Sequence, residues 1–267
     1  MESGKRGSNN TGRSRKNRLG QTDVRPGLLI NPWIYYADKQ RLVIPKTLLE
    51  SSLSAGAILA FGLLRMHGGK NHCIVGQARL ADELGVSVRT ARRYVRELVA
   101  NHFIRTTIRG KQEGGRTTDE YHPVWNEFWR KKAPNPLNME IGRTFEWRRF
   151  VTLKWPSYFI PLDLISAVSA CAALCWGALS AELRNSESEC QVSRAKLSRR
   201  LHWSRRKVLA YTTELRTKGR VWIRARNGSN NERIANLHRF VLPKKNEQPG
   251  KPTAETNEEE NRASVRS

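Results

Sequence analysis

One segment of this chain is written twice. Leu80, Leu84, Ser87, Tyr94, Glu97 and Leu98 recur as Leu197, Leu201, Ser204, Tyr211, Glu214 and Leu215, a constant offset of 117 residues, and Cys73 matches Cys190 in that register. Upstream, Val43-Ile44-Pro45-Lys46-Thr47-Leu48-Leu49 resembles Phe159-Ile160-Pro161-Leu162-Asp163-Leu164-Ile165, and each is followed by an Ala-rich apolar stretch of helical length. Such self-similarity means two copies of one structural unit. The expected division is a unit over 27–129, a connector over 130–154 and a second unit over 155–242, each unit with its own core. A basic arm over 1–26 and a tail over 243–267 hold too little apolar surface to offset the entropy of ordering and are expected to be disordered.

Each copy reads as a helix (Ala55 to Met66; Ala170 to Arg184), a short extended piece at the repeated cysteine, and two helices across a tight turn. In copy one the latter are Gln77 to Leu84 and Val88 to Asn101, with Gly85 as C-cap and Ser87 as N-cap. A strand pair follows, Phe103 to Arg109 with Glu120 to Val124 in copy one, and Val221 to Arg226 with Leu237 to Leu242 in copy two. The expected fold class is therefore mainly α with small β-wings (α+β), as two tandem winged helix-turn-helix domains. Phe145, Trp147 and Phe150 in the connector are buried-type residues, expected to pack on one unit rather than form an exposed stripe.

Lys and Arg number 48 against 24 Asp and Glu, a net charge of +24, which favours a polyanionic partner. Nucleic acid and an anionic membrane both qualify. The one uncharged stretch of spanning length, Leu164 to Ala181, is built from Ala, Ser, Cys and Gly, so it reads as a buried helix rather than a membrane span. The polar, basic N-terminus does not read as a secretory signal, and a cytoplasmic, nucleoid-associated protein with no membrane partner is expected. The four cysteines, 73, 171, 175 and 190, form no Cys-x-x-Cys pair. They read as reduced, small buried residues, although Cys171 and Cys175 stand one helical turn apart as two metal ligands would.

At about 100° per residue, Arg89, Arg92, Arg93 and Arg96 fall within one arc of the Val88 helix, while Ala91, Val95 and Leu98 gather opposite. Burying the apolar stripe turns four guanidiniums outward, where Arg bonds bidentately to guanine or to phosphate. A solvated helix can carry arginines without purpose, but four on one face after an N-cap Ser match a major-groove reader. Arg89, Arg92 and Arg93 are placed for base or groove contacts and Arg96 for phosphate.

Residues 80–94, Leu-Ala-Asp-Glu-Leu-Gly-Val-Ser-Val-Arg-Thr-Ala-Arg-Arg-Tyr, resemble the bacterial winged helix-turn-helix family of phage and plasmid replication proteins and some transcription regulators. The likeness covers about residues 43–125, and the tandem arrangement is similar to plasmid replication initiators built from two winged-helix domains. The resemblance implies that the second helix of the turn enters the major groove through Ser87, Arg89, Arg92 and Arg93, and that the wing touches DNA through Arg109, Lys111 and Arg116; Thr90 and Arg96 of the same helix complete the expected DNA-binding set.

Copy two departs from that pattern. Arg206 holds the place of Arg89, but Leu209, Ala210 and Thr213 replace Arg92, Arg93 and Arg96, and His202 replaces Gly85. Its basic residues sit one helix earlier, at Arg194, Lys196, Arg199 and Arg200. With Arg205, Arg206 and Lys207 at the next helix start and Arg224, Arg226 and Arg233 in the wing, it is expected to grip phosphates; a merely solubilising surface is the alternative.

No nucleotide cradle, zinc spacing or His-hydrophobe-His nuclease motif occurs, and no cofactor or catalytic residue is expected. The expected partner is double-stranded DNA, with host replication or transcription proteins as possible others. Initiation of plasmid or mobile-element replication leads, on a long asymmetric or directly repeated site. A transcription regulator, a nicking enzyme and an RNA-binding protein stand as alternatives.

Overall fold

The computed structural model describes residues 40–68, 72–107, 119–134, 137–147, 149–152, 156–183, 189–227 and 233–241. Copy one runs through β1 (Arg41–Pro45), a 3-10 turn (Lys46–Glu50), α1 (Ala55–His67), β2 (Cys73–Ile74), α2 (Gln77–Leu84), α3 (Val88–Ala100), β3 (Ile104–Thr107) and β4 (Glu120–Pro123). The connector contributes α4 (Glu127–Lys132) and α5 (Arg149–Thr152). Copy two repeats the order with β5 (Ser157–Pro161), α6 (Leu162–Ile165), α7 (Ala170–Ser180), β6 (Glu189–Val192), α8 (Arg194–Leu201), α9 (Arg205–Thr217), β7 (Val221–Asn227) and β8 (Arg233–Phe240). The result is a mixed α+β architecture with small antiparallel sheets, ordered β2-β4-β3 in copy one and β6-β8-β7 in copy two.

Helices α1 and α7 lack a polar face, and that dictates their place. Gly56 to Leu64 and Ala172 to Ser180 are buried without interruption, because a helix apolar on every side is stable only when covered on every side. The segment 164–181 is thus the end of α6, a turn and α7, and no helix among the described residues is long and apolar enough to cross a membrane. Helix α7 stops at Ser180 rather than Arg184, where Ala181 and Glu182 form a turn.

The repeated glutamates explain themselves here. Ser54 caps α1 and donates its backbone N–H and hydroxyl to the two oxygens of Glu97. Ser169 caps α7 and does the same to Glu214, at 2.6 and 2.7 Å. One carboxylate in each copy satisfies two donors at a helix start and locks that start to α3 in copy one and to α9 in copy two.

The connector aromatics are buried against copy one. Phe61 of α1 is ringed by Phe103, Trp129, Trp147 and Phe150 at centroid distances of 5.4 to 6.4 Å, and the Trp147 indole N–H donates to the Tyr121 carbonyl at 3.1 Å.

Strands β1 and β5 pair antiparallel across the two copies, Val43 opposite Phe159. In the repeat those two residues are each other's counterparts, so Arg41↔Pro161 is mirrored by Pro45↔Ser157, and Leu42↔Ile160 by Ile44↔Tyr158. The Lys46 N–H donates to the Pro156 carbonyl at 2.8 Å and the Leu162 N–H to the Gln40 carbonyl at 3.2 Å, again counterparts exchanged. Glu50 stands 4.0 Å from His202, and a Cβ on Gly85 would lie 3.0 Å from Ser166. These contacts appear twice with their partners swapped, as an approximate twofold axis through Val43 and Phe159 requires. Helices α1 and α7 meet across it. In place of one core per copy, buried side chains of both copies form one contiguous cluster.

Candidate nucleic-acid interface

Helix α3 is held from below and bare above. Ala91, Val95 and Leu98 are buried, and Tyr94 lies against α1 where Gly56 leaves room, since a Cβ there would fall 2.1 Å from the phenol ring. Gly85 turns the chain between α2 and α3 at φ +64, the left-handed conformation glycine adopts without strain. Ser87 caps α3 by accepting from the Thr90 N–H at 3.2 Å, and the two hydroxyls lie 3.0 Å apart. Both hydroxyls thus serve the cap as well as facing outward.

Arg89, Arg92, Arg93 and Arg96 are all exposed on the opposite face, and among the described residues none is paired with a carboxylate. Arg92 Nε donates to Gln77 Oε1 at 2.7 Å, and the Arg93 guanidinium lies 5.5 Å from the centre of the Tyr94 ring. A groove of about 440 Å³ runs between α3 and the β3–β4 hairpin, lined by Gln77, Arg92, Arg96, Val99, Thr106 and Asp119 among others. Arg109, Lys111 and Arg116, expected to touch DNA, lie outside the described residues.

The matching face of α9 is bare in a different sense. Leu209, Ala210 and Thr213 are exposed, Leu209 to 46%, and Arg205, Arg206 and Lys207 stand exposed at the helix start. His202 takes the left-handed turn at φ +54 in place of Gly85. On α8, Arg194 and Arg199 are exposed. Arg200 is different, because the Glu182 carboxylate lies between it and Lys196, the latter at 2.6 Å. Arg224 is exposed on β7; Arg226 and Arg233 fall within the paired part of β7 and β8.

Two residues to which the sequence assigned no role at the site belong to this surface. Glu182 neutralises part of the α8 cluster, and Gln77 holds Arg92. The only sequence signal for either was spacing too long to read. Tyr94 and Tyr211 pack at the edge of the buried face, Tyr211 with Trp203 at 5.3 Å, and its hydroxyl is pushed up to about 12 by the Cys171 thiol and by burial. Burial also pushes the Cys73 and Cys175 thiols up to about 12, so both stay protonated at neutral pH and behave as small apolar groups. No protein-family model matches the chain, and no curated protein matches its sequence.

Proposed function

We propose that this chain is a non-enzymatic, sequence-specific double-stranded DNA-binding protein made of two tandem winged-helix domains, in which α3 reads the major groove. The observation that carries the reading is the α3 face itself: four exposed arginines without carboxylate partners among the described residues, opposite Ala91, Val95 and Leu98. Unneutralised charge held on a rigid helix is what phosphate and guanine edges attract. The order helix, strand, helix, helix, hairpin in each copy supports the winged-helix assignment.

The approximate twofold axis adds geometry. Two readers related by a dyad meet duplex DNA on half-sites of opposite direction, so the favoured site is an inverted pair rather than a direct repeat. Only the α3 half is strongly specified. Copy two anchors through Arg194, Arg199 and Arg205 to Lys207. The likeness of the tandem arrangement to plasmid initiators supports a role in starting replication of a plasmid or mobile element, carried out on the nucleoid.

Selection from random duplexes followed by footprinting tests this. Replacing Arg92 and Arg93 by Ala is expected to erase preference for the selected site, each good base contact being worth about 1–3 kcal/mol. An unchanged footprint would refute α3 as the reader.

A further inference from the structure

We propose that Gln77, held by Asp119 at the base of the β3–β4 hairpin, is a positioning residue that fixes the Arg92 guanidinium for reading one base pair. The inference rests on the proposed DNA-reading role of α3 and adds to it the source of that arginine's orientation.

An arginine on an exposed helix face is free about its side-chain torsions, and stopping that motion costs side-chain entropy. A guanidinium already held loses less when it meets a base. Here Arg92 Nε donates to Gln77 Oε1 at 2.7 Å, and Gln77 Nε2 donates to Asp119 Oδ2 at 3.2 Å. The direction of the amide follows from chemistry. A carboxylate only accepts and a guanidinium only donates, so the Gln77 NH₂ faces Asp119 and its carbonyl faces Arg92. With Nε engaged, the two terminal nitrogens of Arg92 keep the fork that recognises guanine O6 and N7. All three residues line the groove between α3 and the hairpin, and covering that groove with DNA excludes the water that competes for these bonds.

Copy two supplies an internal control. Cys73 pairs with Tyr121 and Cys190 with His238, so Asp119 corresponds to Asn236, as Gln77 does to Arg194 and Arg92 to Leu209. All three members are present together in copy one and replaced together in copy two. A glutamine serving only to start α2 has no reason to vanish along with an arginine on the next helix.

The test uses the full chain and duplexes carrying every single base-pair change in the selected site, with dissociation constants measured for the unchanged protein, Arg92→Ala, Gln77→Leu, Asp119→Ala and the Arg92→Ala/Gln77→Leu pair. Gln77→Leu is expected to lose about tenfold of discrimination at the one base pair where Arg92→Ala abolishes it. Other positions and the salt slope should be unchanged, and the double variant no worse than Arg92→Ala. Asp119→Ala, on a different element, should show a smaller loss at that same pair. An even loss of affinity over all duplexes in Gln77→Leu, or a loss that adds to that of Arg92→Ala, would overturn the positioning role while leaving α3 as the reader. Arg92→Ala without effect at any base pair would overturn both.

Discussion

His238 occupies in copy two the register position that Tyr121 holds in copy one. It is 1% exposed, and burial pushes it down to about 4 against the opposing pull of the Val192 backbone. Because the folded value lies below the ordinary 6.5, the unfolded chain takes up a proton that the folded chain refuses. Stability contributed by neutral His238 is complete above about pH 6.5 and is lost as pH falls toward 4, up to about 3 kcal/mol. Urea denaturation at pH 7.5 and pH 5 is expected to show that loss, and His238→Tyr, which borrows the copy-one solution, to flatten it. A side chain's neighbours, rather than its type, decide such behaviour, which is why His238 drew no notice in the sequence. Gly85 and Ser87 were legible for the opposite reason, since turn and cap chemistry are local.

At the scale of elements, helix α8 gives a mixed answer to the expectation that it grips phosphates. Arg194 and Arg199 are exposed, whereas Glu182, beyond the end of α7, holds Lys196 and Arg200. Arg199→Ala is expected to flatten the dependence of log affinity on log salt by about 0.9 for a lost phosphate contact, and Glu182→Ala to steepen it as Arg200 is freed. Fluorescence anisotropy on an unrelated duplex over a potassium chloride series measures both slopes. Helices α3 and α9 were readable because their apolar residues recur at helical spacing with a serine at the start. What Glu97 and Glu214 hold was not, because Ser54 and Ser169 lie more than forty residues upstream.

For the whole molecule, the pairing of β1 with β5 decides more than any single helix. Nothing in either strand announces a partner over a hundred residues away, and a repeat in sequence is equally compatible with beads on a string. The exchange of counterparts along the β1–β5 pairing is visible only in the register. It also makes the docking geometry testable without a complex. Leu209, Ala210 and Thr213 are exposed, so L209R/A210R/T213R places the α3 charges on α9, where Arg206 already matches Arg89. Selection with that variant is expected to return the α3 half-site twice in inverted orientation. A direct repeat would exclude dyad-related readers.

The axis through Val43 and Phe159 has a further meaning for how such a molecule responds to its own abundance. Two separate chains meeting on that axis would come apart on dilution, and their joint occupancy of a site would rise with the square of their number. Here both halves arrive on one polypeptide. The symmetric partnership is as complete at one copy per cell as at a thousand, and each half is free to change without imposing that change on the other.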